Sequence, residues 1–456
     1  MNKTLIKNGD VVQDGKVSKQ DILIEREKIS AVGDLSDITA SKEYNARGLL
    51  VLPGGVDTHV HFNDEFMNTK SVHDYETGTL AAAFGGVTTV VDFSNQIPGK
   101  PLVYTLEKKQ QEAEGRALVD WGVHPVITDA SPEFLDEIPL LVEKGAPTLK
   151  CYMVYREEGL MMEEKDLKRI MERLKSARGM LMVHAEDNDI IEKNISSLIK
   201  QEKTEPIYHA KSRPPEAENK AIKKCIRLAE QTQSSLFIVH MSTGQGVQLV
   251  DQAQKKGIDV RAETCIHYLY FTESQLERED GIKWICSPPL RNKSNQKKLW
   301  RGLRNKQISL VTTDDAAYSW DAKMMGSERF DKCPNGIPGI EVRLSLLYSE
   351  GVQKNRISLN RMVDLISTKP AEIFGMARQK GSLSPGADAD IVLFDPKKKW
   401  TMGKHSLHMA ADWSAYEDIE ITGKIEKVFS RGELIVDGNQ FLGQKGRGKY
   451  IKRKLK

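Results

Sequence analysis

Eight short apolar segments follow one another through the middle of the chain, and this repetition limits the fold more than any other feature. Helix-like segments separate them, such as DLKRIMERLKSA (166–177), whose apolar residues recur at helical spacing. We interpret the eight as strands: GGVDTHVHF (54–62), VTTVVDFS (87–94), WGVHPVI (121–127), TLKCYMVY (148–155), MLMVHAED (180–187), SLFIVHMS (235–242), DVRAETCIHYLY (259–270) and ISLVTTDDAA (308–317). Eight strands that alternate with helices predict an α/β fold, a (β/α)8 or TIM barrel.

Both ends of the chain differ from this pattern, because short alternating segments are separated there by turn signals. Residues 1–50 contain the turns NGD, DG and VGD, and residues 386–441 contain the turns RG and DG. Strand-rich ends can pair when the termini lie close together, which is common. We therefore predict a small β-sandwich domain from residues 1–52 and 376–456, the latter including the C-terminal tail, and a barrel at residues 53–375.

Composition narrows the functional classes. The 67 Lys+Arg and 64 Asp+Glu residues leave a net charge of +3, so nothing favours a polyanionic partner such as nucleic acid. No apolar segment approaches the roughly 20 residues that span a bilayer, and the opening MNKTLIKNGDVV is polar where a signal peptide is apolar. The five cysteines form no CxxC pair, which fits reduced thiols. We expect a cytoplasmic protein with no membrane partner.

The functional signal lies at the carboxyl ends of the predicted strands, which converge on one site in a barrel of this type. Histidines two apart on an extended strand project from the same face, as the first strand's pair does. Alone, such residues are usually hydrogen-bonded histidines or helix N-caps. Together, at the functional end of one barrel, they predict a metal site. The six candidate ligands are His59, His61, Lys150, His184, His240 and Asp314.

Lys150 needs a chemical change before it can serve as a ligand, because an ammonium group repels a divalent cation. Desolvation lowers the pKa of a buried lysine, and the neutral amine can then add carbon dioxide to form a carbamate. That anion has two oxygens and is suited to bridging two metal ions. The alternative is an ordinary lysine that snorkels or forms an ion pair. Beside four histidines, we favour N6-carboxylated Lys150.

The same residues carry a resemblance to a known family. Quoted in chain order, the segments GGVDTHVHF, TLKCYMVY, VHAED, YHAKSRPPEAE, LFIVHMSTG, SPPLRNKSNQKKLW and CPNGIPGIE resemble the dihydropyrimidinase–hydantoinase branch of the cyclic amidohydrolases. Near the C-terminus, GRGKYIKR is most similar to the phenylhydantoinase type. The resemblance covers nearly the whole chain. It implies metal-dependent hydrolysis of the cyclic amide bond of five- or six-membered cyclic ureides (hydantoins, dihydropyrimidines) to N-carbamoyl amino acids.

The resemblance also implies a binuclear centre, with zinc as the expected metal and manganese as the alternative. The two ions would activate a hydroxide nucleophile. One ion would be held by His59, His61 and Asp314, the other by His184 and His240, and carboxylated Lys150 would bridge them. The family implies a homotetramer, or else a homodimer.

Three further roles follow from the resemblance. Asp314 would accept the proton of the attacking water and pass it to the leaving nitrogen, and Tyr155 would donate its hydroxyl to the developing oxyanion. Ser287 and Asn335 would bind the substrate, largely through main-chain groups, although Ser-Pro and Asn-Gly are also ordinary turn signals. An apolar or aromatic ring substituent fits the side chains that the loops after strands one and four carry: Phe66, Met67, Leu160, Met161 and Met162.

Two alternative functions stay open: an allantoinase-type hydrolase, and a non-catalytic scaffold related to dihydropyrimidinases. The scaffold is disfavoured because all six candidate ligands are present. Asp315, beside Asp314, either raises a neighbour's pKa or points away. We expect His209 to be structural. The basic tail at 445–456 is expected to be a solvated end or an arm on a neighbouring subunit rather than a nucleic-acid site.

Overall fold

The computed structural model describes residues 3–456, and the described part starts with strands of one sheet. Ile6 of the first strand and Ile22 and Ile24 of the second are buried together in one apolar core. The N-terminal strands are β1 (Lys3–Gln13), β2 (Lys16–Glu25), β3 (Lys28–Gly33), β4 (Lys42–Asn45) and β5 (Leu50–Pro53).

The middle of the chain alternates strands and helices. Its strands are β6 (Gly55–Val60), β7 (Glu65–Phe66), β8 (Thr69–Lys70), β9 (Val87–Ser94), β10 (Asp120–Pro125), β11 (Thr148–Tyr152), β12 (Met180–His184), β13 (Ser235–Ile238), β14 (Val260–Cys265) and β15 (Leu310–Thr312). β7 and β8 form a small hairpin, and the other eight are the barrel strands. Most of their residues are buried, which is typical of parallel strands covered on both faces.

Helices cover the outside of these strands. Helix α5, for example, buries Leu167, Ile170, Met171 and Leu174, which recur at helical spacing along one face. The helices are α1 (Thr77–Phe84), α2 (Leu102–Ala113), α3 (Pro132–Leu135), α4 (Ile138–Glu143), α5 (Glu164–Ala177), α6 (Asn188–Lys200), α7 (Ile207–Ser212), α8 (Pro215–Thr232), α9 (Gly244–Lys255), α10 (Ile266–Tyr270), α11 (Lys293–Arg304), α12 (Trp320–Met324), α13 (Arg343–Leu347), α14 (Leu359–Val363) and α15 (Lys369–Ile373).

Short helical turns complete this part of the chain. Three are 3-10 turns, at Glu273–Glu277, Gly281–Trp284 and Phe330–Lys332, and two are π-helical turns, at Tyr348–Val352 and Asp364–Thr368. Within residues 3–456, no helix is both long and apolar enough to cross a bilayer.

The eight barrel strands form two parallel sheets that meet at two seams. One sheet has the order β10-β9-β6, and the other has the order β11-β12-β13-β14-β15. At one seam Val126 bridges to Lys150, and at the other Val60 bridges to Asp315. The amide of His61 donates to the carbonyl of Asp315 at 2.9 Å across the second seam. The predicted (β/α)8 barrel is therefore confirmed.

One predicted strand is partly wrong. We expected segment 259–270 to be extended throughout, but β14 ends at Cys265 and α10 begins at Ile266. Ile266, Tyr268 and Leu269 are all buried. A short segment buried on every side carries no periodicity that distinguishes a strand from a helix.

Both chain ends build the second domain, as predicted. Its C-terminal strands are β16 (Ile391–Met402), β17 (Ile419–Ser430), β18 (Glu433–Asp437) and β19 (Gln440–Phe441). β16 pairs antiparallel with β5, for example at Leu393 and Val51, and so joins the two ends in one sheet of order β19-β18-β17-β16-β5-β1-β2-β3, with β4 beside β1. The result is a β-sandwich-like domain with its own apolar core, which includes Ile6, Ile29 and Phe429.

The basic tail lies on the barrel of its own chain, so the expectation of a solvated end or an arm on a neighbouring subunit is wrong. The amide of Trp121 donates to Lys449, and the amide of Ile451 donates back to Trp121 at 2.7 Å. Arg453 is 2% exposed, and its guanidinium donates to the carbonyl of Val123. The tail thus closes the amino-terminal end of the barrel. The tail is mostly basic and has no regular spacing of apolar residues, so its packing against the barrel could not be predicted from the sequence.

We expect Arg453→Met to lower the free energy of unfolding by about 2 kcal/mol, because it removes a buried hydrogen bond and leaves a carbonyl unpaired. Lys452→Met is the matched control, since Lys452 is exposed and adjacent. Urea unfolding followed by circular dichroism measures both variants. Equal stability of the two would contradict the packed tail.

Candidate metal centre

The candidate metal centre lies where β6 and β15 meet. His59 Nε2 is 3.0 Å and His61 Nε2 is 3.2 Å from the same oxygen of Asp314, Oδ1. Ligand atoms of His59, His240 and Asp314 all lie within 4.8 Å of one another. The His184 and His240 rings are 4.4 Å apart between centroids, and His59 and His240 are 5.5 Å apart. The four predicted histidines and the aspartate therefore share one pocket.

Three of these histidines use their other ring nitrogen to contact a carboxylate. Such contacts fix the orientation and tautomer of a metal-binding imidazole. The pairs are His59 Nδ1 with Glu263, His61 Nδ1 with Asp64 at 2.9 Å, and His184 Nε2 with Glu186 at 2.7 Å. In each pair one nitrogen is engaged, so the opposite nitrogen is left to face the shared pocket.

This arrangement fits a cation. When the neutral imidazole of His59 carries its proton on Nδ1 and donates it to Glu263, its Nε2 has a lone pair and no proton. This lone pair faces a carboxylate oxygen of Asp314. His59 Nε2 and His240 Nδ1 are buried and have no hydrogen-bond partner among the described residues. Buried acceptors that face each other repel unless a proton or a metal ion lies between them. Imidazole and carboxylate donors suit zinc.

The pKa values of His61 and Asp314 reflect the contacts between them. Burial alone lowers the pKa of His61, but Asp314 and Asp64 raise it, and the result is about 9. Burial alone raises the pKa of Asp314, but His59, His61 and His240 hold it well below its usual range. The Asp314 carboxylate is therefore ionised at neutral pH.

Lys150 lies at the other seam and is 1% exposed. Its Nζ is 4.6 Å from the Phe93 ring centroid and 4.8 Å from the Tyr152 ring centroid. No carboxylate among residues 3–456 forms an ion pair with it, so the alternative of an ion-paired lysine is not what the structure shows. Burial lowers the pKa of Lys150 to about 8. The neutral amine is therefore accessible near neutral pH, as carbamate formation requires.

Backbone strain is concentrated at this site. His240, Asp314 and Tyr155 have φ angles of 37°, 49° and 69°, in the left-handed region that few residues other than glycine adopt. Such conformations cost on the order of 1–3 kcal/mol each and persist where the surroundings determine them. His240 and Asp314 lie two residues after the ends of β13 and β15, and Tyr155 lies three residues after the end of β11, so the strain is located just beyond the barrel strands.

The predicted substrate-binding residues line the same small cavity of about 60 Å³ as the ligands. Asn335 Nδ2 donates to the hydroxyl of Tyr155 at 3.3 Å. Arg213 lies 5.2 Å from the Tyr155 ring centroid and donates to Glu186 at 2.7 Å. Ser287 Oγ lies 3.4 Å from His209 Nε2. The structure thus gathers Tyr155, Ser287 and Asn335, whose roles stay predictions.

The apolar loop residues divide between three places. Phe66 and Leu160 line the small cavity. Phe66 packs edge-on against Tyr155, with 5.0 Å between the ring centroids. Met67 lines a neighbouring cavity of about 840 Å³, which shares Tyr155 and Asn335 with the small one. Met162 is buried in the core, and the adjacent Met161 forms a β-bridge with Tyr152. Two of the five predicted residues therefore contact the space beside the ligands.

The remaining candidates are explained by the fold. Asp315 points away from the pocket, since it accepts from the amides of Gly339 at 2.6 Å and Ile340 at 3.0 Å and from His73 Nδ1 at 2.6 Å. His209 supports the segment next to Ser287 through a 2.9 Å hydrogen bond to the carbonyl of Cys286.

Three residues that contact the candidate ligands are not among those predicted from the sequence: Asp64, Glu186 and Glu263. Asp64 and Glu186 follow predicted ligands by three and two residues, and this proximity was an available signal. Glu263 lies inside β14, the barrel strand between β13 and β15, and no candidate ligand was predicted on β14. A buried carboxylate in a barrel strand needs a partner, but the sequence does not show which way the side chain of Glu263 faces.

Comparison with known proteins is consistent with the geometry. The model of the Amidohydrolase family matches residues 50–435. A D-hydantoinase of Geobacillus stearothermophilus is 39% identical over 453 residues, which are 98% of this chain and 96% of that protein. A D-phenylhydantoinase of Escherichia coli O1:K1 / APEC is 40% identical over 456 residues, covering 99% of this chain and 98% of that one.

A solved structure agrees over the whole fold. The crystal structure of a dihydropyrimidinase from Brevibacillus agri NCHU1002 matches with a TM-score of 0.97 and 38% identity, covering 99% of each chain.

We expect Glu263→Gln to weaken metal binding about 10- to 100-fold, because the charged acceptor that orients His59 is lost while its shape is kept. Glu279→Gln, on the surface, is the control. Metal per chain, measured by mass spectrometry across a series of chelator-buffered zinc concentrations, reports the affinity without any assay of activity. An unchanged affinity would show that the Glu263 contact does not support the metal centre.

Proposed function

The chain belongs to the amidohydrolase family, and we propose that it is a metal-dependent hydantoinase that opens five- or six-membered cyclic ureides to N-carbamoyl amino acids. It is a hydrolase of carbon–nitrogen bonds in cyclic amides. The observation that carries the proposal is the convergence of His59 and His61 on one oxygen of Asp314, beside Lys150 and two further histidines. Similarity to hydantoinases over nearly the full length supports it.

The residues of the pocket would hold two divalent ions. We assign His59, His61 and Asp314 to one ion, His184 and His240 to the other, and carboxylated Lys150 to both. When bound, the ions supply Lewis acidity, which lowers the pKa of water toward neutrality and polarises the substrate carbonyl. Zinc is the proposed metal, with manganese as the alternative.

The chain's own residues handle the proton and the oxyanion. The ionised Asp314 carboxylate accepts a proton from the attacking water and returns it to the ring nitrogen as that bond breaks. Tyr155 lines the same cavity and donates its hydroxyl to the oxyanion. Asn335 and Arg213 contact this phenol and hold it in place. Ser287 and Asn335 orient the ring through their main-chain groups.

The proposal includes features that extend beyond the site. We propose the domain boundaries 1–52, 53–375 and 376–456, a homotetramer or homodimer, and a cytoplasmic location, to which five buried free cysteines are suited. The small cavity is lined by Phe66, Leu160 and Tyr155, so an apolar or aromatic ring substituent is the proposed preference.

A substrate panel tests the function. Zinc-reconstituted protein is expected to hydrolyse phenylhydantoin and dihydrouracil, with phenylhydantoin preferred because aromatic and aliphatic side chains line the cavity. Ring opening is measured as a loss of ultraviolet absorbance, and the N-carbamoyl product is identified by mass spectrometry. Hydrolysis of allantoin alone would assign the enzyme to the allantoinase type, and hydrolysis of none with full metal loading would favour the scaffold.

Lys150→Ala is expected to lower kcat by at least about a thousandfold, because no bridging anion remains to hold the two ions. Short carboxylic acids such as propionate should restore part of the activity by occupying the space of the carbamate. Lys165→Ala, on the surface of α5, is the control. Full turnover in the Lys150→Ala protein would refute the bridging role.

A further inference from the structure

Lys323, on α12, is a buried lysine that the proposed reaction does not use. Its side chain is 0% exposed. Its ammonium donates to three main-chain carbonyls, those of Ile285 at 2.9 Å, Pro334 at 3.0 Å and Gly336 at 3.1 Å. No carboxylate among the described residues forms an ion pair with it. A buried charge of this kind is tolerated only when its hydrogen bonds are satisfied.

The three carbonyls use the full donor capacity of the lysine. An ammonium has three N–H groups and no acceptor, so three carbonyls at hydrogen-bond distance require the protonated form. A neutral side chain of the same length would take this donor away from all three carbonyls, of which that of Ile285 also accepts from the amide of Gly336. The contacts are therefore specific to a cation with a compact, three-pronged head, which is what distinguishes lysine from arginine.

The carbonyls belong to the two segments that carry the proposed substrate-binding residues. Ile285 precedes Ser287 by two residues, and Pro334 and Gly336 flank Asn335. The segments also contact each other directly, because the amide of Gly336 donates to the carbonyl of Ile285 at 3.0 Å. Lys323 joins both segments through these carbonyls, and Ser287 and Asn335 line the small cavity.

Close packing makes this arrangement rigid. A Cβ added to Gly336 would lie 2.3 Å from the carbonyl oxygen of Ala316, so the segment after Asn335 fits only with glycine there. Ala316 itself lines the cavity two residues after Asp314. The spacing between the metal ligand and the substrate-binding segments is therefore set by main-chain contacts, and Lys323 is the side chain that holds these segments together.

We propose that Lys323 is a positioning residue for the substrate, fixing the distance and orientation between the main-chain groups at Ser287 and Asn335. The inference rests on the proposed function, in which those groups bind the two imide-like edges of the cyclic ureide. Two edges of one rigid ring can be bound together only if the two segments keep a fixed separation. Pre-organisation of this kind lowers the cost of binding and keeps the scissile amide in register.

The test compares Lys323→Met, which keeps the length and removes the charge, with Lys323→Gln, which keeps one donor group. Lys297→Met, an exposed lysine on α11, is the matched control. With phenylhydantoin, KM is expected to rise about tenfold or more in Lys323→Met and less in Lys323→Gln, while kcat falls by less than about threefold. Metal content should stay at the wild-type value in all three.

Hydrogen exchange supplies a readout that does not depend on turnover. Peptides covering 285–288 and 334–337 are expected to exchange faster in Lys323→Met than in the wild type, whereas peptides covering β11 and β12 should not change. If the wild-type protein hydrolyses no cyclic ureide, the proposed function fails, and this exchange pattern still decides whether Lys323 orders the two segments.

Three results would overturn the proposal. The first is a wild-type KM in a folded Lys323→Met protein. The second is a loss of kcat together with bound metal, which would assign the residue to the metal centre or to general stability. The third is failure of both Lys323 variants to fold, which also assigns the lysine to general stability.

Discussion

Closure of the barrel is the constraint on which the candidate site depends. The two parallel sheets meet through single bridges, one between Val60 and Asp315 and the other between Val126 and Lys150. At the first bridge, the neighbours of these residues are His59, His61 and Asp314. At the second, the bridging residue is itself the proposed carbamate. The ligands come together because the first and last strands, and the third and fourth, are joined at the level of the site.

A second layer of charge surrounds this closure. Glu263 and Asp64 contact imidazoles whose opposite nitrogens face the shared pocket. Glu186 contacts His184 and is also paired with Arg213, which lowers its pKa to about 2 against the opposing effect of burial. The pocket therefore combines imidazoles with the carboxylates that orient them. That is an environment in which divalent cations are stabilised and in which their loss would leave acceptors unpaired.

The sequence predicted the residues whose place in the fold follows directly from their place in the chain, namely those at the ends of the barrel strands. Strand ends converge in a barrel, so His184 and His240 could be placed in one pocket from apolar segments alone. Glu263 could not, because its role depends on which way a residue inside β14 faces. The tail could not either, because burial of Arg453 depends on carbonyls at the amino end of a distant strand. The helix that begins at Ile266 was missed because its residues are buried on every side.

Three buried cations connect main-chain segments in this fold. Arg343 donates to the carbonyls of Val56 at 3.1 Å and Val311 at 3.0 Å, across the seam between β6 and β15. Lys323 does the same for the segments that contain Ser287 and Asn335, and Arg453 donates to the carbonyl of Val123 at the barrel's opposite end. These three cations connect main chain, whereas the buried Lys380 is paired with carboxylates, those of Asp120 at 2.6 Å and Asp390 at 2.8 Å. A net charge of +3 gives no sign of this arrangement, because it depends on which charged side chains the fold buries and on whether a carbonyl or a carboxylate lies beside each of them.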